Sequence, residues 1–323
     1  MPITPPSGRK EFEGFAAYFE SEIAPYLSAK EDARQNAVMQ AGLIVIVAVV
    51  IAGALAIYLP AEDMKIKGAA VAAIMGFVVA GWRINRTRAD ITGGLLQLVC
   101  ARLGFSYAQK AGRPDFAAVY DRLKLFSGYN REHWEDEVRG AREGAEFTIC
   151  EAHLKYKSSG KNSSTRTVFH GQLLVIDYHK KFLGETVVRR DAGILNALGK
   201  PGAEFQRVGI VSAQFEKAFE AWSTDQVEAR DLLDPHVLER FEELERLYEG
   251  AKLRAAFSGG KLYVAVETGD RLNMGSMFAP LHGPERVDNI LKAFDLIFDL
   301  IDVLTKRVGG RIDGAFSVGA VRE

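Results

Sequence analysis

The chain has 323 residues, 41 Lys+Arg against 42 Asp+Glu, a formal net charge of −1 and 48% hydrophobic residues. Those averages exclude a disordered chain, which needs low hydrophobicity and strong net charge, and argue against nucleic acid as a partner, which calls for a basic excess. The two cysteines, Cys100 and Cys150, are too few for a disulfide-stapled secreted scaffold and suit a reducing compartment.

The first 40 residues form an arm. Phe12, Phe15, Phe19, Ile23, Tyr26 and Leu27 recur at spacings of three and four, which predicts one apolar helical face. Glu11, Glu13, Glu20 and Glu22 lie opposite, and Pro25 is expected to break or kink the helix. An acidic polar face disfavours lying on an anionic membrane. The arm is therefore expected to pack against the cytoplasmic domain or a second copy of the chain.

Residues 41–59 (AGLIVIVAVVIAGALAIYL) contain no charge. As a helix they span roughly 28 Å, close to the hydrocarbon thickness of a bilayer. A second uncharged run, 68–82 (GAAVAAIMGFVVAGW), follows a short loop. It is shorter, roughly 22 Å, but Lys65 and Lys67 can snorkel from one end and Trp82 marks the other. Both runs are rich in Gly and Ala, so they can approach closely. Residues 41–82 read as a transmembrane helical hairpin. Lys30 and Arg34 precede it and Arg83, Arg86, Arg88 and Arg102 follow, against two lysines in the loop. That bias places both termini in the cytoplasm and the loop outside. A cleaved signal peptide is not expected, because the apolar run begins 40 residues in and lacks a cleavage motif.

Residues 83–126 read as a helical juxtamembrane segment, with Ile91, Leu95, Leu96, Leu98, Val99 and Leu103 in one stripe and Phe116, Val119, Tyr120 and Leu123 in another. Beyond them, 127–308 reads as a cytoplasmic α+β domain. Strands are predicted at 146–157, 166–178, 186–190, 205–212, 253–257 and 261–267. Helices are predicted at 214–221, at 235–250 behind an Asp234-Pro235 start, and at 284–308. The last has a broad apolar arc and a narrow strip of Asp288, Asp295, Asp299 and Asp302, which predicts burial on more than one side. The expected architecture is a mainly antiparallel sheet covered by helices, with a long C-terminal helix. Residues 309–323 read as a flexible tail.

Chemical motifs are sparse. The six histidines, His133, His153, His170, His179, His236 and His282, show no metal-ligand spacing, and there is no CxxC, GxSxG, GxGxxG or P-loop. No metal, cofactor or catalytic residue is assigned. Two clusters remain as ligand or interface candidates. His133 sits beside Glu135, Asp136 and Glu137, in what reads as a solvated linker entering the first strand. Asp225, Glu228 and Arg230 lie in a charge-dense run that also suits helix capping and surface ion pairing. The polar stretch 158–165 reads as a mobile hairpin tip, and Lys155, Lys157, Lys161 and Arg166 around it could touch anionic headgroups.

Several local runs together resemble a bacterial family. They are Val168-Phe169-His170-Gly171; Phe182 with Gly184-Glu185-Thr186-Val187-Val188; Phe215-Glu216-Lys217-Ala218-Phe219; and Ser223-Thr224-Asp225-Gln226-Val227-Glu228-Ala229-Arg230 with Leu233 and Pro235. This set is similar to domain-of-unknown-function family 3137. The resemblance implies an inner-membrane protein with no assigned chemistry, and association with LemA-type membrane proteins. The expected function is a multi-pass protein of the bacterial inner membrane, partnered with the lipid bilayer, whose cytoplasmic domain binds a protein or self-associates as a homo-oligomer. The alternative is a membrane-tethered enzyme or ligand-sensing domain.

Overall fold

A computed structural model describes residues 3, 5–6, 8–160, 163–178, 180–190, 200–209, 219–248 and 252–305. The expected tail at 309–323, His179, and much of the 205–212 and 214–221 segments lie outside the described residues. The chain divides into two compact units. The first comprises residues 1–111, 135–139 and 270–295, and the second 112–134, 140–269 and 296–323.

In the first unit, helix α1 (Phe15–Tyr18) runs through a single π turn (Phe19–Ile23) into α2 (Ala24–Tyr58). Pro25 does not break the arm. It stands in the first turn of α2, where its missing N–H costs little, and the widened turn before it makes room for the ring. Leu59, extended ahead of Pro60, ends the helix. Helix α3 (Glu62–Leu103) opens with two acidic residues at its positive end. It closes at Gly104, left-handed at φ 78°, where the N–H of Phe105 reaches the Cys100 carbonyl at 2.8 Å. The apolar runs 41–59 and 68–82 are thus the distal halves of longer helices, about 52 and 63 Å in length.

The proximal halves pack on each other. Phe12, Phe15, Phe19, Ile23 and Leu27 are buried, as are Ile91, Leu95, Leu96 and Val99 on α3. Tyr18 Oη donates to the Leu98 carbonyl at 3.1 Å and Tyr26 Oη to that of Ile91 at 3.0 Å. The arm's apolar face is therefore met by the continuation of the second apolar helix. In the distal halves Gly76 lies directly against Ala48, and a Cβ on Gly76 would overlap that of Ala48. Strand β1 (Ser106–Ala108) follows Gly104, where a continuing helix was expected. It pairs antiparallel with residues 137–139 of β2 (Arg131–Arg142). The loop preceding the C-terminal helix is tied by the buried Arg286, whose guanidinium donates to the carbonyls of Met274, Ser276, Ala279 and Pro280 at 2.6–3.0 Å.

The second unit is built on a sheet. After α4 (Ala117–Arg122) come β2, β3 (Ala145–Lys157), β4 (Thr165–Asp177), β5 (Thr186–Arg190), β6 (Gln206–Arg207) and β7 (Phe219–Ser223). Then follow α5 (Gln226–Leu232), α6 (Pro235–Leu247), β8 (Leu253–Ser258), β9 (Lys261–Val266) and α7 (Glu285–Thr305), of which residues 296–305 belong to this unit. The strand order is β2-β3-β4-β9-β8-β5-β7-β6, so the β8–β9 hairpin inserts between β4 and β5. Pairing from β3 through β7 is antiparallel. Tyr120 of α4 lies over one face, edge-on to Tyr263, with its hydroxyl donating to the Leu174 and Val264 carbonyls. Phe241 of α6 meets Phe219 on the other. Arg142, at the end of β2, holds Asp302 of α7 at 2.5 and 2.8 Å and stacks on Phe298.

Two sequence expectations fail here. Residues 219–221, expected to end a helix over 214–221, lie instead in strand β7. The stretch from His133 to Glu137, expected as a solvated linker, lies within the twelve-residue strand β2, which buries Trp134, Asp136 and Val138.

Candidate functional site

Asp225 and Glu228 meet at one corner of the second unit. Asp225 caps α5, accepting from the N–H groups of Val227 at 2.8 Å and Glu228 at 3.0 Å. The Glu228 carboxylate then accepts from the N–H groups of Leu183 at 2.9 Å and Gly184 at 2.6 Å. Ser223 Oγ donates within the same corner and accepts from Asp225 N–H at 3.1 Å, while Thr224 Oγ1 accepts from Glu185 N–H at 2.9 Å. The Ser-Thr-Asp-Gln-Val-Glu run is a backbone clamp. It locks the chain entering β5 to the turn leaving β7. Arg230 projects from α5 into solvent.

The clamp leaves two apolar side chains outside. Leu183 is 98% exposed and Val227 76% exposed. Their backbones belong to the corner: the N–H of Leu183 donates to the Glu228 carboxylate and that of Val227 to Asp225. Next to them, Glu185 takes both Arg122 nitrogens at 2.6 and 2.7 Å and the Ser258 hydroxyl. The Arg122 guanidinium holds the Glu185 carboxyl below the usual carboxylate range.

His133 is elsewhere. It is an exposed residue of β2, and β2 stands six strand intervals from β7. At about 4.8 Å per interval, the sheet separates His133 from the Asp225 corner by on the order of 29 Å. The histidines that do come together are His153 and His170, cross-strand partners on β3 and β4 whose rings stack at 4.0 Å. Their spacing in sequence hides this, because only the hairpin register joins them. In the first unit Asp136, at φ 53°, is buried and accepts from Tyr107 Oη at 2.5 Å; burial and this carboxylate push the Tyr107 hydroxyl's pKa up.

The sequence also conceals a row of buried charge across the sheet. Arg189 of β5 is paired in register with Glu220 on one side and Arg254 on the other. Its guanidinium lies 3.3 Å from Glu220, and burial lowers its pKa. Arg254 donates to Glu267 at 2.6 Å and lies over the rings of Phe126 and Phe169. Desolvation offsets much of the attraction in a buried charge row of this kind, so it is weak evidence for added stability. Among the described residues, no three His, Cys, Asp or Glu side chains cluster so as to hold a metal ion.

The described elements define an α+β protein with two long apolar N-terminal helices. Residues 167–306, from β4 to the end of α7, match a family described as "Protein of unknown function (DUF3137)", which supports the resemblance read from the motifs. No curated protein matches the chain. Among solved structures, the mycobacterial trehalose monomycolate transport factor A, TtfA, is similar at 14% identity and a TM-score of 0.33, over 66% of this chain and 96% of that one.

Proposed function

We propose that the chain is an integral protein of the bacterial inner membrane, anchored by the distal halves of α2 and α3, whose α+β part is a cytoplasmic protein-interaction or self-association module. One observation carries the membrane reading. The side chains around both distal halves are apolar and exposed, among them Val50, Ile57, Ile66, Val71 and Phe77. In water such a belt is strongly unfavourable, whereas lipid solvates it and each helix satisfies its own backbone. The basic residues beyond Trp82 favour cytoplasmic termini. Leu183 and Val227, held outward on a rigid corner, suit a protein contact. On the family resemblance, a LemA-type membrane protein is one candidate partner.

Three measurements test this. Alkaline carbonate should leave the protein in the membrane fraction, and reporter fusions near residue 60 and at the C-terminus should report opposite compartments. Carbonate release, or one shared compartment, rules out the hairpin. In mild detergent the full chain should co-purify with a defined partner or as an oligomer, and Leu183→Glu/Val227→Glu should abolish that association. Unchanged association in the double variant removes the corner from the interface.

A further inference from the structure

We infer that Trp82, Arg83 and Arg86, where the α2–α3 pair leaves its apolar half, form a binding site for the phosphate of an anionic phospholipid. The inference rests on the membrane reading above and adds a ligand to it.

The two ends of the apolar hairpin differ in a way that residue counts do not show. At the loop end, Lys65 pairs with Glu62 at 2.9 Å and Lys67 with Asp63 at 3.3 Å. Those four charges cancel within about a turn and a half of helix. At the other end, Arg83 and Arg86 form no ion pair among the described residues. Both are instead oriented by neutral groups. Arg83 donates through Nε to Gln40 Oε1 of α2 at 2.9 Å and through Nη1 to Thr87 Oγ1 at 2.6 Å. The Arg86 guanidinium lies 5.4 Å from the centre of the Trp82 ring.

Helical geometry puts Trp82, Arg83 and Arg86 within about 100° of one another around α3. Trp82 is 58% exposed, and an exposed indole at the edge of an apolar span is suited to the headgroup level. Arg83 keeps its Nη2 edge free of hydrogen bonds, and the Arg86 guanidinium sits over the indole. Two preset guanidiniums without a carboxylate suit a phosphodiester, which a guanidinium can bind through paired hydrogen bonds. Asp90 shares this face of α3 one turn beyond Arg86, on the side away from the apolar half, and forms no ion pair with it. The same arginines belong to the basic flank that favours cytoplasmic termini.

The test uses the full-length protein reconstituted into bilayers of equal phosphatidylglycerol and phosphatidylcholine, then extracted in mild detergent. Retained lipid is counted by mass spectrometry. Wild type should retain phosphatidylglycerol over phosphatidylcholine by about fivefold or more, the scale of one basic residue at an anionic surface. Arg86→Gln changes an exposed side chain and should remove most of that preference. R83Q/R86Q should bring it close to unity, and R83K/R86K should restore part of it. K65Q/K67Q should leave it unchanged. An absent preference in wild type, an unchanged one in R86Q, or equal loss in K65Q/K67Q would overturn the site. Displacement by excess soluble glycerol 3-phosphate would overturn the lipid as its source. Carbonate release of the wild type would overturn the membrane reading itself, whereas a carbonate-resistant protein with no lipid preference overturns this inference alone.

Discussion

At Asp225 and Glu228 acidic side chains serve the backbone. Asp225 satisfies the free N–H groups at the start of α5, and Glu228 does the same for Leu183 and Gly184. Asp225→Ala should lower stability by about 1 kcal/mol, the ordinary cost of a lost helix cap. Glu228→Ala should cost about 1–2 kcal/mol, because a charged acceptor for two N–H groups disappears. Arg230→Ala, on an exposed side chain, should stay within about 0.5 kcal/mol of wild type. Denaturant midpoints of the full chain in detergent check all three. An Arg230 effect as large as that of Glu228 would refute the clamp.

Glu185 sets a pH dependence at the same corner. Its carboxyl is held below its ordinary value of 4.5 in the folded chain by Arg122. A depressed carboxylate contributes stability that is present above the unfolded pKa and is lost as pH falls through the folded one. Wild type should therefore lose stability below about pH 4.5, and Arg122→Gln should lose less over the same range. Parallel pH profiles for the two proteins would refute the pairing. The clamp's residues were singled out from the sequence as a charge-dense run beside a helix start. Their acceptor role was legible at Asp225, an Asp ahead of a helix. It was not legible at Glu228, whose donors lie about 45 residues earlier.

At the scale of elements, hydropathy period separates what was read from what was missed. The strands at 145–157, 165–177 and 186–190 stand within a residue of their expected limits, because they are rich in β-branched and aromatic residues. Strand β7 was read as helix because its alternation is masked. Phe219 and Ala221 are buried on one face, but Glu220 on the other is buried too, neutralised by Arg189. Strand β2 was read as linker for a similar reason, since Asp136 occupies an inward position between Trp134 and Val138. A buried carboxylate looks like a surface residue until its partner is known. The long helices carry their own prediction. Gly76→Leu should push α3 from α2 at Ala48 and cost about 1–3 kcal/mol, the usual range for overpacking. A lower thermal midpoint in detergent, with helix content preserved, is the expected result. Gly81→Leu, where a Cβ meets open space, is the control.

At the scale of the molecule, the balanced charge of the chain hides a local asymmetry along the helix pair: neutral ion pairs at the start of α3, and Arg83 and Arg86 without an ion pair among the described residues where the apolar halves end. This makes the lipid test informative in one experiment, because both ends carry basic residues and only one is expected to select anionic lipid.

The amino-acid sequence alone determined the two apolar spans, most of the strands and helices, the α+β class and the family resemblance. These are local properties, set by composition and period over ten to twenty residues. Tertiary structure decided the rest. It extended the spans into long helices against which the arm folds, separated His133 from Asp225, joined His153 to His170, and buried Arg189 with Glu220. The first depends on helix packing and the others on strand order and register, and so all depend on how segments far apart in the chain bury apolar surface and satisfy charge together.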